Sequence, residues 1–200
     1  MKPRFTLLLL LLSLLSCTDE RLRTGDLVFV FPGEPARTSS MSEAISRATG
    51  AAIHVGILEV DKDGVWVIDA TDERGVDRHP LDTLIADFTS PEGCRPVLEF
   101  KRLRDNRKVG EYVRHAKSRL GRPYDWHFAA GEEAFYCSEL VWACYEGVFP
   151  LKPMNFAAPD GSYPAFWKEL FERLGEPIPQ GAPGTSPQGL YDDPALLPLR

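Results

Sequence analysis

Apolar positions follow two different spacings along this chain. In the first half, short apolar runs end at turn residues, as in Asp26-Leu-Val-Phe-Val-Phe31, which stops at Pro32-Gly33 and predicts a buried strand. In the second half, apolar residues recur every three or four positions, which predicts amphipathic helices. The predicted strands are 26–31, 53–60, 65–70 and two that begin at Val76 and Pro96. The predicted helices are one opened by the capping box Ser40-Met-Ser-Glu43, one at 106–120, one beginning near Tyr136 or Cys137, and one at 165–174.

This order of elements predicts one α+β domain, at residues 24–175. The segment that follows, 176–200, contains proline at short intervals. Because proline interrupts both helices and sheets, this Pro-rich tail is predicted to be extended or disordered.

The first residues are typical of an exported lipoprotein. A basic start and a run of leucines, too short to span a bilayer comfortably, end at Leu14-Leu-Ser-Cys17, which resembles a lipobox. Residues 1–16 are therefore predicted to be a signal peptide, and Cys17 the lipidated start of a tether at 17–23. The alternative is an ordinary signal peptide that contains a cysteine. Thr18 is not an aspartate-type signal for inner-membrane retention, so we expect the bacterial envelope, on the outer-membrane or periplasmic side.

Charge and cysteine count narrow the function classes. The net charge is −6 and no basic run is present, which argues against nucleic acid as a partner. After cleavage three cysteines remain besides Cys17, namely Cys94, Cys137 and Cys144, so at least one thiol is unpaired. Two turns of one helix, about 10 Å, separate Cys137 from Cys144, which excludes a disulfide between them.

Cys137 is the candidate nucleophile because it lies at the predicted start of a helix. Backbone N–H groups at that end stabilise a thiolate and can hold a developing oxyanion. The competing interpretation is a core cysteine on an apolar stripe, which suits Cys144.

His54 is the candidate base, since it interrupts the apolar strand Ile53-His-Val-Gly-Ile57, where an uncompensated polar ring would be costly. A core histidine with a backbone partner would also fit this position. The other histidines are weaker candidates: His115 lies off the apolar face of its helix, His79 precedes Pro80 in a predicted turn, and His127 is a second choice.

Asp69 is the candidate that orients the imidazole of His54. If Asp61-Lys-Asp-Gly64 forms a four-residue loop, Leu58 faces Val67. The side chains of His54 and Asp69 are then diagonal neighbours on one sheet face. A two-residue turn at Asp63-Gly64 keeps the face but draws them further apart, whereas a three-residue loop separates them. The alternative interpretation of Asp69 is a residue at the end of its strand that caps the following turn.

These residues carry a resemblance to a known family. Gly25-Asp-Leu-Val-Phe29, Ile53-His-Val-Gly-Ile57, Val67-Ile-Asp-Ala70, Gly121-Arg-Pro-Tyr-Asp125 and Tyr136-Cys-Ser-Glu-Leu-Val141 together resemble the YiiX/YebB-like family of NlpC-related cysteine hydrolases, over roughly 24–170. The resemblance implies a circularly permuted papain-like fold, in which an antiparallel sheet or barrel packs against the helix that carries Cys137.

By the same resemblance, Cys137 is the nucleophile, His54 the base and Asp69 the polar third residue, a position where family members often carry Glu. Tyr124 and Tyr136 match aromatic positions near the family's cleft and are the candidate substrate-binding residues. Glu139 also matches the motif, and we interpret it as structural, acting at the helix start.

The sequence therefore predicts a cysteine hydrolase that cleaves an amide bond through a thioester, with peptides of the cell wall as one substrate class. No cofactor is implied, and no cluster of His, Cys and carboxylates has the spacing of a zinc site. Two alternatives remain open: a lipid acyl hydrolase or acyltransferase with the same Cys–His pair, and a non-catalytic binding module of the envelope.

Overall fold

The computed structural model describes residues 21–33 and 39–199, with eight strands and six helices. The strands are β1 (Leu27–Phe31), β2 (His54–Asp61), β3 (Gly64–Thr71), β4 (Gly75–Pro80), β5 (Val97–Leu103), β6 (Lys152–Pro153), β7 (Pro183–Gly184) and β8 (Leu196–Pro198). The helices are α1 (Ser40–Thr49), α2 (Leu81–Asp87), α3 (Val109–Ser118), α4 (Cys137–Cys144), α5 (Ala165–Leu174) and α6 (Pro187–Tyr191). The predicted signal peptide and Cys17 lie outside the described residues. Among those described, no helix is long and apolar enough to cross a membrane.

Six strands form one sheet, in the order β4-β3-β2-β1-β5-β8. Every neighbouring pair is antiparallel, so the predicted α+β architecture with an antiparallel sheet is confirmed. The strands that carry His54 and Asp69 precede, along the chain, the helix that carries Cys137. This order is the one expected of a permuted papain-like fold.

The β2–β3 hairpin has the register that the four-residue loop predicted. Leu58 pairs with Val67 and Val60 with Val65, and the strands continue to Asp61 opposite Gly64. The carboxylate of Asp61 accepts hydrogen bonds from the backbone N–H groups of Asp63 at 2.8 Å and Gly64 at 3.1 Å. This side-chain turn fixes the register, and with it the face on which each side chain of β2 and β3 lies.

Apolar residues cover both faces of the sheet. On one face, α3 and α4 pack through residues such as Tyr112, Val113, Leu140 and Val141, all buried. On the other face, Val28, Leu58 and Val67 pack with Leu84 of α2. The sequence analysis did not predict α2, which is short and begins directly after Pro80. With apolar cover on both faces, the central strands carry apolar residues at nearly every position, which explains their continuous apolar runs.

A third apolar cluster lies beside the N-terminal end of α4 rather than on the sheet. It joins α1, α5 and the loop before α4. Its buried members are Ala44, Phe128, Tyr136, Met154, Phe156, Trp167, Leu170 and Phe171. The aromatic rings of Phe128, Phe156 and Trp167 meet edge to face, with centroids 5.1–5.7 Å apart.

The prediction that 176–200 is an irregular tail is wrong for 176–199. This segment contains α6, and β8 pairs with β5 at the sheet edge. Its prolines occupy positions that tolerate them: Pro187 is in the first turn of α6, after Ser186, whose hydroxyl caps the helix by accepting from the N–H of Gly189. Leu190 and Leu196 are buried in the main core, and this burial holds the segment in place.

Candidate active site

Cys137 is the first residue of α4, and the residue before it, Tyr136, is extended with φ −90° and ψ 167°. The first N–H groups of a helix have no partner within the helix, so the Cys137 sulfur lies beside donors that favour negative charge. The side chain is 5% exposed, yet it lines two cavities on opposite sides. The thiol is therefore packed by protein and still reachable from a cleft.

His54 is the first residue of β2, opposite Val30 of β1. Its Nε2 lies 2.7 Å from Oδ2 of Asp69 on β3. The same ring lines one cavity together with Cys137, and the charge of Cys137 raises the pKa of His54. Because Nε2 faces the carboxylate, Nδ1 is the nitrogen available to the sulfur. The structure thus brings together Cys137, His54 and Asp69, which are up to 83 positions apart in the chain.

Electrostatics favour the charged forms of His54 and Asp69. Burial alone would lower the pKa of His54, but the negative charge of Cys137 and the hydrogen bonds to Asp69 and Cys137 raise it to about 10. Burial would raise the pKa of Asp69, but hydrogen bonds from His54 and His79 hold it well below its usual range. At neutral pH these shifts support an imidazolium at His54 bound to an ionised carboxylate at Asp69.

Phe88, which directly follows α2, covers the imidazole of His54. The two ring centroids are 4.8 Å apart, with the planes tilted by 37°. Because this contact is apolar, it limits the rotation of the His54 ring and reduces its access to water without competing for its nitrogens.

His79 also contacts the candidate site, which its sequence context did not indicate. It lies on β4 opposite Val67, and its Nε2 is 3.0 Å from Oδ1 of Asp69. The sequence analysis placed it in a turn because Pro80 follows, whereas the strand runs through both residues. Side chains alternate between the two faces of a strand, and continuing the strand from Val76 would have placed His79 on β4. There it is a diagonal neighbour of Asp69.

The other two histidines lie elsewhere. His127 is exposed, and its Nδ1 is 2.9 Å from Oε2 of Glu176. His115, on α3, has its nearest carboxylate in Glu146, at 3.7 Å. Neither lines the cavities that Cys137 adjoins.

Tyr124 and Tyr136 both lie at the cleft, on different sides of the cysteine. Tyr124 lines both cavities that Cys137 lines, and burial raises the pKa of its phenol well above the usual range. Tyr136 lines only one of them and its hydroxyl accepts from the N–H of Thr185 at 3.1 Å. Burial raises the pKa of Tyr136 to about 12, so both phenols are neutral hydrogen-bonding groups at physiological pH.

The cavity on the Tyr136 side has a volume of about 270 Å³ and an apolar lining. Its walls come from the third apolar cluster and the C-terminal segment, and include Phe128, Tyr136, Met154, Phe156, Trp167 and Leu190. Thr185 donates to the hydroxyl of Ser138 at 3.1 Å, which ties the C-terminal segment to the residue after the cysteine. The sequence analysis missed this wall because it treated the segment as an irregular tail.

The cavity on the His54 side is larger, about 640 Å³, and more polar. Charged side chains at its rim include Asp72, Glu73, Arg74 and Asp87, of which Arg74 and Asp87 form an ion pair at 2.6 Å. The linings of the two cavities share Tyr124 and Cys137, and the two cavities together are termed the cleft, with an apolar half and a polar half.

Comparison with known proteins places this chain in a class of enzymes. Residues 21–199 match the model of the C92 family, described as the permuted papain-like amidase enzymes YaeF/YiiX. The match covers most of the chain, so the chain belongs to this family of papain-like cysteine amidases. The predicted fold and enzyme class are confirmed.

Two relatives illustrate the family. The uncharacterized protein YiiX of Escherichia coli K12 is 30% identical over 203 residues, which span 98% of this chain and 94% of YiiX. A crystal structure described as metalloprotein YiiX from Escherichia coli O157:H7 is similar with a TM-score of 0.69 at 29% identity, covering 89% of this chain and 96% of that one.

The description of that relative as a metalloprotein raises the question of a metal site here. Within 21–33 and 39–199, no three His, Cys, Asp or Glu side chains are grouped so as to hold a metal ion. Both carboxylate oxygens of Asp69 are taken up by histidine nitrogens, so the residues at the candidate site do not fit a metal ion. No metal enters the chemistry considered below.

Proposed function

We propose that Cys137, His54 and Asp69 are the nucleophile, base and orienting carboxylate of this amidase, and that it cleaves its substrate through a thioester. The observation that carries this proposal is the contact of His54 with Asp69 at 2.7 Å, in the wall of a cavity that Cys137, the first residue of α4, also lines. A binding module has no need of a buried imidazole held between a thiol and a carboxylate.

The proposed reaction has two halves. The sulfur of Cys137 attacks the carbonyl carbon, and the backbone N–H groups at the start of α4 stabilise the oxyanion that forms. His54 then gives a proton to the leaving nitrogen, the C–N bond breaks, and a thioester remains. Water attacks the thioester while His54 takes a proton from it, which releases the acid and restores the pair.

The experiment that tests this proposal is trapping of the thioester. The purified protein is incubated with a panel of amides, ranging from short peptides to long-chain N-acyl compounds, and its intact mass is measured after acid quenching. We expect an acyl adduct that hydroxylamine removes. Cys137→Ala abolishes the adduct, whereas Cys144→Ala keeps it, because that thiol is on the same helix but buried, with its pKa raised to about 12 by burial. An adduct that persists in Cys137→Ala contradicts the assignment.

A second candidate function, acyl transfer or hydrolysis on a lipid, is favoured by one specific observation. The apolar cavity that adjoins Cys137 is lined mainly by aromatic and aliphatic side chains, which suit an acyl chain better than a polar peptide. The polar half of the cleft suits the peptide candidate, including peptides of the cell wall. A series of N-acyl amides of increasing chain length separates the two, because kcat/KM increases with length only if the chain enters the apolar cavity.

We also propose that the protein acts at the bacterial envelope, held to the membrane by a lipid on Cys17. The support is the lipobox-like sequence Leu14-Leu-Ser-Cys17 after an apolar run. Cys17→Ser is expected to prevent processing and to release the protein or leave it as an unprocessed precursor. Normal processing and membrane attachment of this variant would contradict the proposal.

A further inference from the structure

Asp69 is bound by two histidines rather than one. Its Oδ2 is 2.7 Å from Nε2 of His54, and its Oδ1 is 3.0 Å from Nε2 of His79. Asp69 is fully buried, and each histidine is 5% exposed. The three side chains come from the adjacent strands β2, β3 and β4, so the contacts join three neighbouring backbones of the sheet.

The protons of His79 can be counted from its two partners. Its Nδ1 lies 3.1 Å from the carbonyl oxygen of Pro80, and its Nε2 faces the carboxylate of Asp69. A carbonyl oxygen only accepts hydrogen bonds, and so does an ionised carboxylate. Both ring nitrogens must therefore carry a hydrogen, and the ring that satisfies both contacts is an imidazolium.

The charged groups around His79 also favour the doubly protonated ring. Burial lowers its pKa, but the hydrogen bond and charge of Asp69 and the bond to Pro80 raise it above the usual value overall. Arg74, in the turn before β4, acts in the opposite direction. That guanidinium is paired with Asp87 of α2 and lies 3.6 Å from Asp77, so its charge is largely compensated.

We propose that His79 is a positioning residue of the active site, which as an imidazolium holds Asp69 in the orientation that His54 requires. This inference rests on the proposed roles of Cys137, His54 and Asp69. His79 lines neither cavity of the cleft, so it acts through Asp69 and not on the substrate. Three charges then alternate from His54 through Asp69 to His79: imidazolium, carboxylate and imidazolium.

Two consequences follow from this arrangement. A carboxylate bound at both oxygens does not rotate, so the His54 ring keeps Nδ1 directed at the sulfur. The second cation also shares the charge of Asp69, so His54 holds its proton less tightly than it would with the carboxylate alone. Removal of the His79 charge should therefore shift the loss of the His54 proton to higher pH.

The first test reads the protonation state of the His79 ring directly. Long-range ¹H–¹⁵N correlation spectra of the ¹⁵N-labelled protein at pH 7 distinguish a doubly protonated ring from either neutral tautomer, and His79→Gln identifies the signals. We expect both nitrogens of His79 to be protonated. A neutral His79 ring at pH 7 would overturn the proposal, and this result needs no substrate.

The second test compares two variants by the rate at which iodoacetamide alkylates Cys137, followed by peptide mass spectrometry from pH 5 to 11. His79→Gln keeps an N–H donor toward Asp69 but no charge, so the plateau rate should stay within about threefold and the alkaline inflection should move to higher pH. His79→Leu removes the donor as well, and we expect roughly a tenfold lower plateau, the loss typical of partners that orient catalytic or ligating histidines.

A purely structural His79 would give a different result. Both variants would then lose thermal stability while the folded protein kept the wild-type plateau and inflection, and this outcome overturns the proposal. If His79→Leu does not fold, His79→Gln and the spectra decide. Failure of the proposed function is recognised separately, because wild-type Cys137 would then react no faster than an ordinary thiol at any pH, whatever the state of His79.

Discussion

The two sides of Cys137 are built in different ways. On the sheet side, His54, Asp69 and His79 are held by directional hydrogen bonds between three neighbouring strands. On the other side, the apolar cavity is formed mainly by rings and a thioether that pack against one another on loops and helices outside the sheet. The N–H of Thr185 also donates to the hydroxyl of Tyr136 there.

This difference indicates that the two sides have different roles, one in the reaction and the other in the choice of substrate. A hydrogen-bonded chain requires particular residue types at particular distances, so any change in it should affect whether the reaction occurs. A packed apolar wall requires volume and shape, so changes in it should affect which substrate is accepted.

The largest loss is expected from His54→Ala. Without the imidazole, Cys137 has no partner to remove its proton or to protonate the leaving group, and the rate of hydrolysis should fall by roughly 10³-fold or more. The measurement is kcat/KM on a substrate identified by the trapping experiment. His127→Ala is the matched control, because His127 is exposed and bound to Glu176. A comparable loss in the control would indicate that the wrong histidine has been assigned.

Asp69→Asn should lower kcat by about two powers of ten, a smaller loss than that expected for His54→Ala. The imidazole of His54 remains, but the amide introduced at position 69 can donate a hydrogen bond to Nε2, which favours the other tautomer. The negative charge that stabilises the imidazolium is also lost. The variant should also lose the high pKa of His54, seen as an alkaline limb of kcat/KM that moves to lower pH. Equal losses in the two variants would mean that Asp69 does more than orient the ring.

The apolar side is tested by Gly184→Ala. A Cβ at this position would lie 2.3 Å from Sδ of Met154, and the flexible Met154 side chain must move in response. Both residues line the apolar cavity, so we expect KM for long-chain substrates to rise by roughly tenfold with little change in kcat for short ones. Gly110→Ala, where an added Cβ meets no atom within 4 Å, is the control. A rise in KM that does not depend on the chain length of the substrate would contradict the role of the apolar side in the choice of substrate.

The smallest effect on activity is expected at Glu139, which instead gives stability a pH dependence. This buried carboxyl accepts from the N–H groups of Gly131 and Tyr136, and so anchors the loop that carries Phe128. Burial raises its pKa to about 8, although the two backbone hydrogen bonds lower it. Because the folded pKa exceeds the unfolded value near 4.5, the stabilisation is present below pH 4.5 and is lost as the pH rises toward 8.

Glu139→Gln should therefore remove part of the decrease in the free energy of unfolding between pH 5 and 8, measured by urea titration. Glu132→Gln, an exposed change in the same loop, should leave that decrease as it is. A wild-type protein equally stable at both pH values would show that Glu139 is ionised throughout.

Local patterns in the sequence predicted the strands of the sheet side and the candidate roles of His54 and Asp69, but not the position of His79. The apolar runs of β1 to β3 identify buried strands, and a histidine within such a run requires a partner. The turn at Asp61 then fixes the register that places Asp69 beside His54. Cys137 was predictable because a helix start can be recognised from its own residues.

The apolar side could not be predicted in the same way. Its walls depend on contacts between segments far apart in sequence, such as Thr185 with Ser138. Phe128, at the centre of the aromatic cluster, has φ +54°, a backbone conformation that nothing in its local sequence indicates. The prolines of 176–199 suggested irregularity, whereas burial of Leu190 and Leu196 decides the structure there. His79 was missed for a similar reason, since Pro80 was given more weight than the strand period.

The most direct measurement of the central claim is the rate at which iodoacetamide alkylates each cysteine of the native protein near neutral pH, resolved by peptide mass spectrometry. If Cys137 is a thiolate paired with the His54 imidazolium, it should react at least about tenfold faster than the same cysteine in His54→Ala, while Cys144 stays unmodified until the protein is unfolded. Equal reactivity of Cys137 in the wild type and in a folded His54→Ala variant would contradict the account.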